Sequence, residues 1–271
     1  MLKMRFAFVT LLMLVVALPV GAQRNPTATP EPVANAEVEV TPEATSEVDP
    51  TVITEGLSTL FEEYTDWSAS EIEERLAYIQ ALKDTPWYVT EDGSYVLGSE
   101  DAPITLIEFV DWACPHCQAY QETIDSVIED YVFEDMAALE LRIFPTAGGQ
   151  NTVLAGELAA CTDEVVPGAY WEIYILFFDV AGAYNYLTQN FVLDFVDVYG
   201  LDIDATEECL GDYERMVASS ALANEIGITG TPGIAVRYPG EDPAFINYND
   251  RVFNSGGPTL EVLSAVIEAA Q

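Results

Sequence analysis

The sequence predicts an α/β fold, and three features of the chain predict it. An apolar run, Ile104 to Val110, has the length of a buried strand, and a helical pattern follows it from Gln118 to Val132. Leu139 to Phe144 then alternates well enough for a second, parallel strand, so strand, helix and strand form a right-handed unit. From residue 148 to about 226, helical patterns replace strand signals. The chain therefore combines a sheet with a long helical segment.

The first 22 residues are expected to form a secretion signal. Lys3 and Arg5 precede an apolar run from Phe6 to Val20, and the small residues Gly21 and Ala22 suit cleavage. The run is short for a membrane span, which needs about 20 apolar residues. An uncleaved leader that tethers the protein to a membrane is the alternative. We expect the protein to act outside the cytoplasm, in the periplasm or at the exterior of the cell envelope, where disulfides persist.

Two segments separate this leader from the predicted sheet. Residues 23–51 are acidic, rich in Pro and Thr and free of aromatic residues, so we expect a disordered tether that buries too little apolar surface to fold. Residues 52–86 are expected to form an N-terminal helical extension that packs on the rest of the protein. Ser70 and Glu73 predict a capping box for its second helix. The apolar residues with helical spacing are Leu57, Leu60, Phe61 and Tyr64, then Ile72, Leu76, Ile79 and Leu82.

The remaining elements follow in order. Trp87 to Val96 predicts a short strand or hairpin around Glu91-Asp92-Gly93. The helical segment predicts helices at Asn151 to Thr162, Gly168 to Phe178, Asn190 to Tyr199, Thr206 to Leu210 and Tyr213 to Ile226. An aromatic stripe with helical spacing is predicted to be core: Tyr170, Trp171, Tyr174, Phe177 and Phe178. A hairpin, Ile234 to Arg237 and about Ala244 to Val252, and a helix from Pro258 to Ala270 are expected to close the fold.

A Cys-Pro-His-Cys motif, residues 114 to 117, lies where the predicted central strand meets the predicted helix. The first N–H groups of a helix are unpaired and its dipole is positive there, so a thiolate at Cys114 is stabilised. Pro115 suits the first helical position, where no N–H is needed. His116 adds a second group that favours negative charge on sulfur. A stabilised thiolate makes the reduced form favourable, so a Cys114–Cys117 disulfide would readily oxidise other thiols.

Two other readings of this pair are half a zinc site and a structural disulfide. A structural zinc site needs four ligands. His116 is the only histidine in the chain and is poorly placed to join both flanking cysteines on one ion, while Cys161 and Cys209 lie singly and far apart. The strand–turn–helix context favours redox chemistry, and we predict no metal site.

Several motifs resemble those of the DsbA-like thiol:disulfide oxidoreductases, which belong to the thioredoxin superfamily. They are Leu97-Gly98-Ser99-Glu100-Asp101-Ala102-Pro103, Ile107-Glu108-Phe109, Cys114-Pro115-His116-Cys117 and Gly230-Thr231-Pro232. The resemblance runs from about Leu97 to the C-terminus. It implies a thioredoxin fold over residues 87–271, with an α-helical domain inserted at about residues 148–226.

The resemblance also implies roles for individual residues. Cys114 would be the exposed nucleophile and Cys117 the resolving thiol. Glu108 matches the buried acid beneath the cysteine pair and would move protons to and from Cys117, with a pKa raised by burial; a charge reaching water at the strand end is the alternative. Pro232 would be cis and face the pair, leaving the backbone of Thr231 to bind a substrate peptide as an added strand.

Three further residues complete the expectations. Asp111 lies closer to the loop and is expected to be solvated. The surroundings of Cys161 and Cys209 recur in exported DsbA-like relatives, so we expect a structural Cys161–Cys209 disulfide. Two buried free thiols are the alternative, because four cysteines allow three pairings and the sequence alone does not choose between them.

Charge and composition exclude several functions. The chain carries a formal charge of −37, which becomes −39 without the leader because Lys3 and Arg5 are lost. Such a protein repels nucleic acid and anionic lipid surfaces, so no nucleic-acid partner is expected. The sequence contains no phosphate-binding G-x-x-x-x-G-K-[ST] loop, no H-E-x-x-H pair and no G-x-S-x-G elbow. A single histidine, already in the cysteine motif, leaves none for a serine hydrolase triad.

The resemblance implies an exported enzyme that donates its Cys114–Cys117 disulfide to unfolded or reduced exported proteins. A membrane quinone-linked thiol oxidase, DsbB-like or VKOR-like, would regenerate the disulfide, and no cofactor would be needed. One alternative is a reductase or isomerase that uses the same pair. Another is a non-catalytic thioredoxin-fold chaperone or binding module whose cysteines stay bridged.

Overall fold

A mixed sheet runs through the protein. The computed structural model describes residues 49–181, 188–210 and 213–271. Within these residues the strands are β1 (Trp87–Val89), β2 (Tyr95–Leu97), β3 (Thr105–Val110), β4 (Ala138–Ile143), β5 (Gly233–Arg237), β6 (Ala244–Tyr248) and β7 (Arg251–Phe253). Their order across the sheet is β1-β2-β4-β3-β5-β6-β7. The hairpin predicted around Asp92 is the antiparallel pair β1 and β2.

Helices surround this sheet. In the described ranges they are α1 (Pro50–Tyr64), α2 (Ala69–Asp84), α3 (Pro115–Val127), α4 (Gln150–Val165), α5 (Ala169–Ala181), α6 (Gln189–Val198), α7 (Ile203–Cys209), α8 (Glu214–Ile226) and α9 (Leu260–Ala269). A π-helical turn, Ile128–Val132, continues α3. Among the described residues no helix has the length and apolarity to cross a membrane.

The central strand β3 positions the cysteine motif. It is parallel to β4 and antiparallel to β5, and Glu108 lies opposite Leu141 and Ile234. Ile107 and Phe109 belong to a core cluster that includes residues of α8. Because alternate strand residues point to opposite faces, Glu108 lies on the other face, beneath α3 and α5. The predicted α/β class is confirmed.

The turn after β3 is attached to the helical segment. Trp112 is fully buried in that turn, and its indole N–H donates to the backbone carbonyl of Tyr174 on α5 at 3.2 Å. Helix α3 contacts both α5 and α9. The aromatic stripe of α5 is buried, so its prediction as core is confirmed. These contacts hold the start of α3 between the sheet and the helical segment.

Helices α1 and α2 pack on each other, α1 also on α6 and α2 also on α5. Helix α1 begins at Pro50, two residues before the expected boundary of the extension, and the Asp49 side chain caps it by accepting from the Thr51 N–H at 2.9 Å. The capping box of α2 is formed by Ser68 and Glu71, so the predicted pair Ser70 and Glu73 was wrong. Both serines precede a glutamate by three residues, but Ser68 has the extended backbone that a cap requires.

The helical segment from α4 to α8 follows β4. Cys161 of α4 and Cys209 of α7 are joined by a disulfide with a Cα–Cα distance of 5.9 Å. The predicted secretion signal, residues 1–22, lies outside the described residues, as does the predicted tether up to residue 48.

Candidate active site

The Cys-Pro-His-Cys motif forms the start of α3. Cys114 is the N-cap residue and Pro115 occupies the first helical position, as the sequence predicted. Pro115 and His116 are exposed, whereas Cys117 is 1% exposed. Cys114 was expected to be an exposed nucleophile, but it is only 6% exposed, because the backbone of Thr231 lies against its sulfur. It is still the more accessible of the two thiols.

The surroundings of Cys114 favour its thiolate. Burial alone would raise the pKa of Cys114, but hydrogen bonds from the Thr231 side chain, from the backbone N–H groups of Cys117 and His116, and from the Cys117 thiol outweigh burial, so this pKa is lowered. These backbone donors are the unpaired N–H groups of the first turn of α3. His116 therefore contributes through its backbone, while its imidazole is exposed.

Cys117 has the opposite tendency. Burial raises its pKa well above the usual range of a thiol, and the nearby charge of Glu108 raises it further, although the backbone N–H of Asp111 opposes this. At neutral pH, Cys117 therefore holds its proton, and Cys114 loses its proton more readily than an ordinary thiol does. The two thiols therefore differ in acidity in the way that a nucleophilic thiol and a resolving thiol require.

Thr231 and Pro232 lie beside Cys114. The peptide bond between them is cis. The carbonyl oxygen of Thr231 accepts from the Cys114 thiol at 3.3 Å, and its hydroxyl lies 2.5 Å from that of Thr146. Thr146, from the loop after β4, was not singled out in the sequence, because a lone threonine 85 residues from Thr231 carries no signal of this contact.

Glu108 lies beneath the motif and is 1% exposed. Burial raises its pKa to about 8; the hydrogen bond from Tyr174 lowers this pKa, and the charge of Asp125 raises it. The Tyr174 hydroxyl donates to Glu108 Oε2 at 2.9 Å. Tyr174 was predicted only as part of the aromatic core, because no pattern in the chain indicates that its hydroxyl contacts an acid 66 residues away.

Asp111 was expected to be solvated, and this was wrong. Its side chain is fully buried. Its carboxylate accepts from the Ala113 N–H at 2.9 Å, the Ala147 N–H at 2.6 Å, the Gly148 N–H at 3.0 Å and the Thr152 hydroxyl at 2.5 Å. Asp111 thus joins the turn before Cys114 to the loop after β4. The expectation failed because three of these donors lie 36 to 41 residues away in the chain.

An open groove runs along the exposed side of the motif. Its lining residues are His116, Ala119, Tyr120, Thr231, Pro232, Gly256 and Gly257. The Tyr120 hydroxyl donates to the Pro258 carbonyl at 2.6 Å. A Cβ atom at Gly257 would lie 2.2 Å from the Tyr120 ring, so only glycine fits against that ring. The groove places the backbone of Thr231 where an extended peptide could reach Cys114.

The site shows no sign of a metal centre. Across residues 49–181, 188–210 and 213–271, no three His, Cys, Asp or Glu side chains are grouped so that they could hold an ion. The chemistry that the two thiols of the motif support directly is thiol–disulfide exchange.

Comparison with known proteins gives relatives of two kinds. Over 190 residues the chain is 23% identical to the Na(+)/H(+) antiporter NhaA 1 of Salinispora arenicola, a match that covers 67% of this chain and 25% of the antiporter. The chain thus spans about a quarter of the length of that relative. It is also 22% identical over 161 residues to the probable disulfide bond formation protein D of Bacillus anthracis, covering 55% of this chain and 72% of that protein.

A solved structure and a family model agree on the fold. The crystal structure of alpha-DsbA1 from Wolbachia pipientis matches with a TM-score of 0.52 and 22% identity, covering 67% of this chain and 92% of that one. This similarity supports the predicted thioredoxin fold with its helical insert. The family model described as Thioredoxin matches residues 90–238, which is more than half of the chain. The chain therefore belongs to the thioredoxin family, and its fold is DsbA-like.

Proposed function

We propose that this protein is an exported thiol:disulfide oxidoreductase that donates a Cys114–Cys117 disulfide to other exported proteins. The observation that carries the proposal is the placement of the two thiols: Cys114 caps α3 beside the backbone of Thr231, where its pKa is lowered, and Cys117 is buried, where its pKa is raised. A stabilised Cys114 thiolate stabilises the reduced pair. The Cys114–Cys117 disulfide is then reduced more easily than an ordinary disulfide, so it oxidises ordinary thiols.

The exchange proceeds in two displacements. A substrate thiolate attacks the Cys114 sulfur of the oxidised pair; a mixed disulfide forms, the Cys114–Cys117 bond breaks, and Cys117 leaves as a thiolate. Glu108, whose pKa of about 8 keeps it protonated at neutral pH, supplies a proton to Cys117. A second substrate thiolate then attacks the substrate sulfur of the mixed disulfide and releases the Cys114 thiolate. Two electrons pass from the substrate to the pair.

The substrate is an extended, unfolded or reduced segment of an exported protein. Thr231 presents its backbone beside Cys114, and Pro232 lines the same groove, so a peptide can pair there as an added strand. A membrane quinone-linked thiol oxidase, DsbB-like or VKOR-like, would return the reduced pair to its disulfide. The Cys161–Cys209 disulfide serves a structural role, and all of this chemistry takes place outside the cytoplasm.

The test is the equilibrium of the pair with glutathione. The protein is incubated in buffers of graded oxidised-to-reduced glutathione, quenched with acid and alkylated, and the thiols are counted by mass spectrometry. We expect Cys114 and Cys117 to remain reduced in buffers that oxidise ordinary dithiols and to form their disulfide only in more oxidising buffers. Cys114→Ser cannot form this disulfide, so it should show no change from two thiols to a disulfide. A strongly reducing pair would point to a reductase instead, and a pair that does not exchange would leave a binding module.

A further inference from the structure

Tyr174 has one hydroxyl hydrogen and two acceptors for it. The hydroxyl lies 2.9 Å from Glu108 Oε2 and 3.0 Å from the side-chain oxygen of Gln121 on α3. All three side chains are buried. Burial, followed by the charge of Glu108, raises the pKa of Tyr174 well above its ordinary value, so the hydroxyl keeps its hydrogen. That hydrogen can serve only one of the two acceptors at a time.

The two acceptors suit the two protonation states of Glu108. When Glu108 is a carboxylate, donation from Tyr174 is charge-assisted and strong. When Glu108 is protonated, Tyr174 can turn its hydrogen to Gln121 and offer its oxygen to the new hydroxyl of the acid. In the protonated state every buried polar group of this trio has a partner, whereas in the carboxylate state the Gln121 oxygen gives up its donor to the charged acid.

The orientation of Gln121 is determined by Asp125, four residues later on α3. The side-chain N–H of Gln121 donates to Asp125 Oδ1 at 2.8 Å. A carboxylate accepts hydrogen bonds and does not donate them, so Asp125 attracts the nitrogen end of the amide and turns the oxygen end towards Tyr174. Without that partner the amide could present either end.

Asp125 is held by a residue of the N-terminal extension. Arg75 of α2, in the N-terminal extension, donates to Asp125 Oδ2 at 3.0 Å. The same guanidinium makes a two-point bond to Asp179 of α5, at 2.8 Å for each contact. Arg75 therefore joins α3 and α5, which are the two helices that carry Gln121 and Tyr174.

We propose that Gln121 and Tyr174 form a hydrogen-bond switch that sets the proton affinity of Glu108, and that Arg75 is a positioning residue that holds this switch through Asp125. The inference deepens the proposed function, because it rests on proton exchange between Glu108 and Cys117. It also gives the N-terminal extension a part in the chemistry. The titratable groups that face Glu108 are Tyr174 from α5, and Cys117, Tyr120 and Asp125 from α3.

The test titrates Glu108 directly. In a Cys114→Ser/Cys117→Ser background, the carboxyl stretch of protonated Glu108 is isolated by infrared difference against the same protein with Glu108→Gln, and it is followed over pH. No thiol of the motif titrates in this background, so the result does not depend on whether disulfide exchange occurs. Folding of every variant is checked by circular dichroism.

Substitutions of Tyr174 and Gln121 should move the pH midpoint of the Glu108 titration in opposite directions. Tyr174→Phe removes the donor to the carboxylate, so the midpoint should rise by about one pH unit. Gln121→Met removes the alternative acceptor, so Tyr174 stays on Glu108 and the midpoint should fall. The matched control is Gln80→Met, because Gln80 makes the same contact to Asp84 four residues later on the exposed surface of α2. Shifts in the same direction, or no difference between Gln121→Met and Gln80→Met, would overturn the switch.

The role of Arg75 is tested in the same titration. Arg75→Met leaves the charge of Asp125 uncompensated, which disfavours the Glu108 carboxylate, so the midpoint should rise. If that variant does not fold, Arg75→Lys keeps a charge without the two-point bond and should give a smaller rise. An unchanged midpoint in a folded Arg75 variant would remove Arg75 from the proposal.

A second measurement separates this inference from the proposed function. With both cysteines present, the rate at which Cys117 releases glutathione from a mixed disulfide at Cys114 is measured against pH. If the switch acts during exchange, the midpoint of that profile should move with the titration of Glu108 in each variant. Infrared shifts without a change in the rate profile would uphold the switch and overturn the role of Glu108 in exchange.

Discussion

At the scale of single residues, the pKa values of the two thiols shift in opposite directions because the two sulfurs have different surroundings. Cys114 caps α3 and receives the unpaired backbone N–H groups of its first turn, which lower its pKa. Cys117 lies one turn deeper, against the strand that carries Glu108. The same four-residue motif therefore holds one thiol whose pKa is lowered and one whose pKa is raised, and the charge of Glu108 adds to the effect of burial on the second.

Glu108 should cost the protein stability at neutral pH. Its ordinary pKa of 4.5 rises to about 8 on folding. Between these values the unfolded chain is ionised here while the folded chain keeps its proton, so stability falls as pH rises through this window. Glu108→Gln removes this cost. The variant should be more stable than the original at pH 7, by up to about 3 kcal/mol, and close to it at pH 4.

Urea unfolding at the two pH values measures this difference. Glu122→Gln, at an exposed site on α3, serves as the control for the loss of one acidic side chain. A Glu108→Gln protein that is less stable than the original at pH 7 would contradict the assignment of Glu108 as a buried, protonated acid.

The sequence predicts some of these residues and misses others for a physical reason. Cys114, Pro115 and Cys117 are close in sequence, and their placement depends only on a strand being followed by a helix. The burial of Asp111 and the contact of Thr146 with Thr231 depend on how a distant loop is folded. Such contacts leave no periodic or motif signal in the chain.

At the scale of elements, the helical segment is held together by more than its aromatic core. Cys161 and Cys209 join the long helix α4 to the short helix α7 across 48 residues. Arg215 of α8 approaches Glu157 and Glu164 of α4. Helix α4 is thus tied to both of the last two helices of the segment.

Loss of the disulfide should destabilise the whole fold. Replacement of both residues in Cys161→Ser/Cys209→Ser frees a loop of 48 residues in the unfolded chain, so the free energy of unfolding should fall by about 4 kcal/mol. Urea unfolding under oxidising conditions measures the loss. The Cys114→Ser/Cys117→Ser protein is the control for removing two cysteines, and an equal loss in that control would argue against a special structural role for the Cys161–Cys209 pair.

Most elements are predictable from periodicity, and their ends are not. The central strand, the hairpin of β1 and β2 and the helices from α4 to α9 lie where the pattern places them, to within a few residues. The second strand of the closing hairpin was predicted to run from about Ala244 to Val252, whereas a turn at Asn249 and Asp250 divides it into β6 and β7. The helical pattern after the motif was predicted to reach Val132 as one helix, whereas α3 ends at Val127 and a π-helical turn follows. Where a helix ends depends on the hydrogen bonds of its last backbone groups, and the pattern of side chains along the sequence does not show these.

At the scale of the whole molecule, most of the scarce positive charges in the described residues are half-buried, and Arg142 is buried. Five basic residues in the described part of the chain pair with carboxylates: Arg75, Lys83, Arg142, Arg215 and Arg237. The carboxylates of Glu140, Glu157 and Glu172 in these pairs are buried. With a formal charge of −37, the protein presents a strongly negative surface.

Added salt should therefore stabilise the protein. Screening weakens repulsion between exposed carboxylates, while buried ion pairs are screened much less. The urea midpoint should rise between about 0.01 M and 0.15 M NaCl, the range over which the Debye length falls from about 30 to 8 Å. KCl should act like NaCl if screening is the cause, and a midpoint that falls with salt would show that the ion pairs dominate.

The strand directions place the candidate active site at one end of the strands. β3 and β4 finish at this end and the antiparallel β5 begins there, so the cysteine motif, Thr146 and Thr231 lie close together. The exposed turn at Gly240-Glu241-Asp242, which follows β5, lies at the opposite end of the strands. A fluorescent label or an affinity tag inserted in that turn would be kept away from the groove by the length of the strand. Surface tethering through this turn would leave the cysteine motif facing solution, where capture of proteins as mixed disulfides would test the proposed exchange.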